Sequence, residues 1–85
     1  MAADATPSRP LREFVEFAAR LLARSPDEVY VEETVDGDTI VYRLKLAQDD
    51  VGRIIGREGR IIRSIRSLLR AAAVRQGVRV ALEVD

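Results

Sequence analysis

The chain contains no cysteine and no histidine. Their absence removes disulfide frameworks, thiolate metal sites, cysteine nucleophiles and imidazole acid–base chemistry together. The serines, at positions 8, 25, 64 and 67, have no evident activating neighbour, so neither an enzyme nor a bound cofactor is expected. Aromatic residues are scarce: Phe14, Phe17, Tyr30 and Tyr42 are the full set. None follows Tyr42, which argues against the base-stacking platforms of RRM or OB domains. No apolar run approaches the roughly 20 residues of a membrane span. The opening "MAADATPSRP" also lacks the basic start and apolar stretch of a signal peptide. A soluble, cytoplasmic chain is expected, and 85 residues allow one core rather than two.

What is present is charge, divided along the chain. Formal net charge is zero, with 14 basic and 14 acidic residues. From Val51 to Arg79, however, eight arginines face one acid, Glu58, whereas from Pro26 to Asp50 eight acids face Arg43 and Lys45. Such a division concentrates positive potential on one part of the surface while the average stays neutral. Lys45 is the only lysine. A cluster built from arginine suits bidentate contacts to phosphate.

Residues 1–9 are small, polar and proline-containing, and are expected to form a flexible tail before a domain over 10–85. Leu11, Phe14, Val15, Ala18, Leu21 and Leu22 recur at helical spacing, Pro10 suits a first turn and Ser25-Pro26 stops it. Residues 28–35 and 39–47 alternate as strands around the turn "DGD", with Ile40, Tyr42, Leu44 and Leu46 on one face. Asp49 or Asp50 is expected to N-cap a short helix over 51–55, a reading preferred to a metal-binding pair. A longer helix then buries Ile61, Ile62, Ile65, Leu68, Leu69, Ala72 and Ala73, with Arg63, Arg66 and Arg70 directed elsewhere. Gly77 fits its C-terminal cap, and residues 78–84 close the chain as a strand. The expected fold is α+β: a two-layer sandwich of a three-stranded sheet with helices on one face. No internal repeat is visible.

Between the short and long helices lies "VGRIIGREGRII", with Gly56 and Gly59 three apart. A bare G-x-x-G is a weak signal. Between two helices it makes a tight turn with no Cβ at its corners, next to the positive end of the second helix, where a sugar-phosphate backbone can approach main chain.

"VGRIIGREGRIIRSIRSLL" resembles the KH-domain signature I-I-G-x-x-G-x-x-I-x-x-I, and the element order resembles the type II arrangement (helix, strand, strand, helix, G-x-x-G, helix, strand). With "IRSLLRAAA" and a terminal strand, the chain is similar to the bacterial KhpA family of small RNA-binding proteins. That resemblance implies single-stranded RNA held at the loop, about four nucleotides at a time. It implies RNA-chaperone activity, KhpB of the Jag/EloR type as partner, and a link to cell elongation and cell-wall homeostasis. Carried over position by position, the loop is Gly56, Arg57, Glu58 and Gly59, and Arg53, Arg57, Arg60 and Arg63 become the expected phosphate contacts. Ile54, Ile55, Ile62 and Ile65 become the apolar support and floor of the groove, shared with the core. Glu58 departs from the pattern, since a carboxylate repels phosphate. The alternative function is a protein-interaction module whose helix–loop–helix surface forms a homodimer or a heterodimer with KhpB.

Overall fold

The computed structural model describes residues 9–85. The expected tail lies outside them except for Arg9, which is the first residue of a helix, α1 (Arg9–Leu22). Its buried stripe is Leu11, Val15 and Ala19, repeating every four residues. Phe14, Ala18 and Leu22 flank that stripe and are partly covered. Leu21, expected on it, is 72% exposed, because the stripe runs through Ala19 and leaves the Phe17–Leu21 side outward. A 3-10 turn at Pro26–Glu28 then takes Glu28, the first residue assigned by alternation to a strand. Pro26 stands in its first turn, where a fixed φ helps.

Strand β1 (Tyr30–Asp36) pairs antiparallel with β2 (Thr39–Lys45), in register from Tyr30 opposite Lys45 to Asp36 opposite Thr39. Strand β3 (Arg79–Val84) lies parallel to β2 on its other side, so the order is β1-β2-β3 and the sheet is mixed. One face carries the fully buried Ile40, Tyr42 and Leu44, with Leu82 and Val31 beside them. On the other face Arg43 reaches Glu32 (3.5 Å) and Glu83 (3.1 Å), and Lys45 reaches Glu32 (3.8 Å). Exposed pairs of this kind add little stability, and of the eight acids between Pro26 and Asp50 they engage Glu32 alone. Each edge strand also receives an arginine from the helical layer. Arg12 Nη2 donates to the Val31 carbonyl at 2.9 Å, and Arg66 donates through Nε and Nη2 to the Leu82 carbonyl, both at 3.1 Å. These contacts cover polar groups that an open edge would offer to another strand.

Helix α3 (Arg60–Arg75) buries Ile62, Ile65, Leu69 and Ala73 against the sheet. Leu68, expected in the same row, is 60% exposed; it lies a turn to the side, toward solvent. The helix ends in a Schellman turn, with Val78 N–H donating to Ala73 O and Gly77 N–H to Val74 O, both at 3.1 Å. Helices and core side of the sheet share a single cluster from Leu11 to Leu82. The expected two-layer α+β sandwich is the observed fold.

Helix α2 (Gln48–Ile55) differs from expectation at its start. Ala47 is its N-cap, without a side-chain hydrogen bond, so neither Asp49 nor Asp50 caps the helix. The helix begins earlier than residue 51, and this carries Asp50 into its first turn. There the side chain is 1% exposed and accepts the backbone N–H groups of Arg24 (2.9 Å, Oδ1) and Ser25 (3.0 Å, Oδ2). Asp50 therefore ties α2 to the segment leaving α1. Those two amides hold its carboxyl below the usual range, with a smaller contribution from the Arg53 and Arg24 charges and with burial opposing. A depressed folded-state pKa contributes stability that is present above the unfolded value and lost as pH falls through the folded one. Asp50→Asn should lower the melting temperature at neutral pH, because its amide nitrogen would present a donor to one of the two N–H groups. The gap between the two proteins should close as pH drops below about 4, which thermal melts across pH would measure; a gap independent of pH would refute the charged role.

Candidate nucleic-acid interface

Gly56 ends α2, its N–H donating to Gly52 O at 2.9 Å. Its backbone, at φ 76° and ψ 175°, is in a region open essentially to glycine alone. A Cβ there would lie 2.7 Å from Cγ1 of Ile61, so the loop folds directly over that side chain. Arg57–Gly59 forms a 3-10 turn closed by Gly59 N–H to Gly56 O at 3.1 Å. Gly59 is left-handed (φ 72°, ψ 18°), and so is Glu58 (φ 55°, ψ 25°). Three of the four loop residues thus hold positive φ, and Glu58 does so with a side chain, at a cost of about 1 kcal/mol.

The structure places the loop residues Arg57 and Glu58, and the flanking Arg53, Arg60 and Arg63, on the surface. Arg53 lies in the last turn of α2, 3.8 Å from Asp50. No carboxylate lies within 4 Å of Arg57, Arg60 or Arg63 among the described residues, and Glu58 forms no ion pair with them. The isoleucines divide. Ile54, Ile62 and Ile65 belong to the core and support the loop from beneath; Ile55 is half-buried and is the one of the four with substantial surface. Their burial follows from packing α2 and α3 together across a loop too short to separate them.

Electrostatics at the start of α3 run against ordinary helix design. Gly59 provides no side-chain cap, the first turn has no acid, and Arg60 and Arg63 stand near the positive pole. Cations there are unfavourable, whereas an anion is stabilised. Gly52, four residues before Gly56, lies on the same side of α2, is exposed, and has open space where a Cβ would point. Packing therefore does not require glycine at 52. The sequence reading missed both Ile61 as the wedge under Gly56 and Asp50 as the tie behind α2. The adjacent acids marked the second position without telling which would turn inward.

The two loop glycines should respond differently to alanine. Gly56→Ala meets both a disallowed backbone and Ile61, and should cost about 2–4 kcal/mol. Gly59→Ala meets only the backbone penalty of about 1–2 kcal/mol, since its nearest Cβ contact is at 4.0 Å. Denaturant melts of both variants check the ranking.

Comparison with known proteins agrees with this arrangement. The family described as "KhpA/KhpB, KH domain" matches residues 12–84. The RNA-binding protein KhpA of Chlamydia trachomatis is 42% identical over 74 residues, covering 87% of this chain and 95% of that protein. KhpA of Clostridium perfringens is 35% identical over 74 residues, covering 87% and 99%. Among solved structures, Aquifex aeolicus Era bound to GDP and aluminium fluoride superposes with a TM-score of 0.65 at 24% identity. It covers 93% of this chain but 31% of Era. Era in complex with a guanine nucleotide analogue and nucleotides of 16S ribosomal RNA gives 0.57 at 21% identity, over 87% of this chain and 28% of that one. At those identities Era shares the fold, whereas the family match and the KhpA relatives span nearly the whole domain: the chain belongs to the KhpA/KhpB family of KH domains.

Proposed function

We propose that this chain is an RNA-binding protein of the KhpA type that holds single-stranded RNA at the Gly56–Gly59 loop. The observation that carries the reading is the start of α3: an uncapped positive helix end with arginines and no acid, fronted by a turn free of Cβ atoms at both corners. In this reading the RNA backbone crosses the loop against Gly56 and Gly59, and Arg53, Arg57, Arg60 and Arg63 contact phosphates. The sugar side rests against Gly52, and Ile55 supplies apolar surface. The buried Ile54 and Ile62 hold these groups in place without touching RNA. Phosphate contacts dominate, so binding is salt-sensitive and weakly sequence-specific. Glu58 moderates affinity by placing a carboxylate at the tip. The names of the KhpA relatives support RNA binding; chaperone activity in the cytoplasm, partnership with a KhpB-like protein and a role in cell elongation and cell-wall homeostasis extend the reading by family resemblance.

A second reading is a homodimer or KhpB heterodimer through the same helix–loop–helix surface. The exposed Leu68, beside Arg60, Arg63, Ser64 and Ser67 on α3, favours it.

Fluorescence anisotropy of a labelled mixed-sequence single-stranded RNA tests the first reading. Arg57→Asp combined with Glu58→Asp should abolish binding with little change in melting temperature, because Asp tolerates the left-handed backbone at 58. Parallel loss of fold would show the loop to be structural. Gly52→Ala separates the two demands further: it should stabilise the fold by about 1 kcal/mol while weakening RNA binding. Unchanged binding in that variant would remove the RNA from α2.

A further inference from the structure

Among the described residues the cations without an ion pair gather on α3 and the loop before it, with Arg24 the one exception. Seven basic side chains lie within 4 Å of a carboxylate: Arg9, Arg12, Arg20, Arg43, Lys45, Arg53 and Arg79. None of the five arginines of α3 has a carboxylate that near among the described residues, and the helix has no acid of its own. The contact of Arg66 with Leu82 shows that this side of α3 faces the β3 edge. Arg63 and Arg70 stand about one turn before and after Arg66, so the three form a row along that edge. The row does not end in solvent. At the far end of the helix, about 20 Å from Arg60 at 1.5 Å per residue, lies a notch of about 280 Å³ lined by Arg70, Ala73, Val74, Val78, Arg79 and Val80. Apart from the two arginines its lining is apolar, and Val74 is 76% exposed. Arg79 is paired with Asp38 only at 3.6 Å between exposed groups, a contact weak enough for a phosphate to displace.

We infer that this notch is a second RNA subsite, which takes a base of the strand leaving the Gly56–Gly59 loop while Arg63, Arg70 and Arg79 hold the intervening phosphates. The inference rests on the loop reading above. Charge complementarity selects the occupant: an apolar lining between Arg70, which has no ion pair among the described residues, and Arg79, whose pair is weak, fits a nucleotide, which has an apolar face and an anionic backbone, better than an apolar peptide. The chain then grips a longer strand than the four or so nucleotides of a KH loop. Affinity rises with RNA length until the strand reaches Arg79, and an RNA held at two points is kept extended.

The test compares a tetranucleotide with a dodecanucleotide of single-stranded RNA. The proteins are wild type, the loop variant of the previous section, and Arg70→Ala/Val74→Asp, whose two sites are exposed. Wild type should bind the longer strand more tightly. The notch variant should lose about tenfold on the longer strand and have a shallower salt dependence by about one phosphate contact, with tetranucleotide binding unchanged. Equal affinity of wild type for both lengths, or a notch variant indistinguishable from wild type, overturns the subsite while leaving the loop reading intact. Loss of both lengths only in the loop variant would also confine RNA to the loop. Failure of wild type to bind either length overturns both readings. A notch variant that changes molecular mass by light scattering but keeps full RNA affinity assigns the notch to protein contact instead.

Discussion

The geometry of the candidate site depends on one buried carboxylate. Arg53 stands 3.8 Å from Asp50, beyond hydrogen-bonding distance; the oxygens of Asp50 are held by two main-chain amides at the point where the chain leaves α1. A charge so placed is costly to bury unless its bonds are made, and costly to disturb once they are. It therefore fixes the start of α2 relative to α1 with more directional demand than apolar packing alone imposes. With the start of α2 set, eight residues of helix determine where Gly56 turns. The core isoleucines 54, 62 and 65 then hold the two helices together across the loop.

The loop gives up local stability at several points. Glu58 occupies a left-handed conformation, the first turn of α3 carries the wrong charge for its dipole, and Gly52 weakens an exposed stretch of α2. Elsewhere the chain follows ordinary rules: a Schellman turn closes α3, ion pairs cover the outer sheet face, and arginines close both sheet edges. Departures confined to one surface, in an otherwise consistent fold, are the pattern expected where binding competes with folding. An anion arriving at the loop would relieve the electrostatic part of the strain.

Much of this was legible in the sequence because the two periodicities are clean. Ile40, Tyr42 and Leu44 alternate without interruption, and the G-x-x-G lies between two amphipathic segments, so sheet, helices and loop could be placed from pattern. Errors arose where a residue's neighbour in space comes from elsewhere in the chain. Leu21 and Leu68 satisfy helical spacing, yet each sits beside the stripe that the sheet covers, and spacing alone does not give the width of the covered strip. Asp50 looked like a cap because its partners, Arg24 and Ser25, are more than twenty residues away. The isoleucine motif mixed support with surface for the same reason: burial of Ile54 and exposure of part of Ile55 follow from which side of a short helix meets α3. Parallel pairing of β2 with β3 likewise has no local signature, since it is set by the direction in which α3 returns the chain.

That parallel pairing also bears on how the molecule comes into being. The central strand, complete by Lys45, has β1 on one side at once through a short turn, but its other neighbour begins at Arg79. Until that neighbour has emerged, the hairpin lacks half its central pairing and α3 lacks the strand that Arg66 grips. Contacts so distant in sequence are slow to form and reward the chain late. During synthesis the arginine-rich helix would therefore exist before the strand that orients it, and the sheet would be complete only once β3 had emerged. A nascent chain that stops short of Arg79 would carry the positive charge of α3 without the sheet edge beside it.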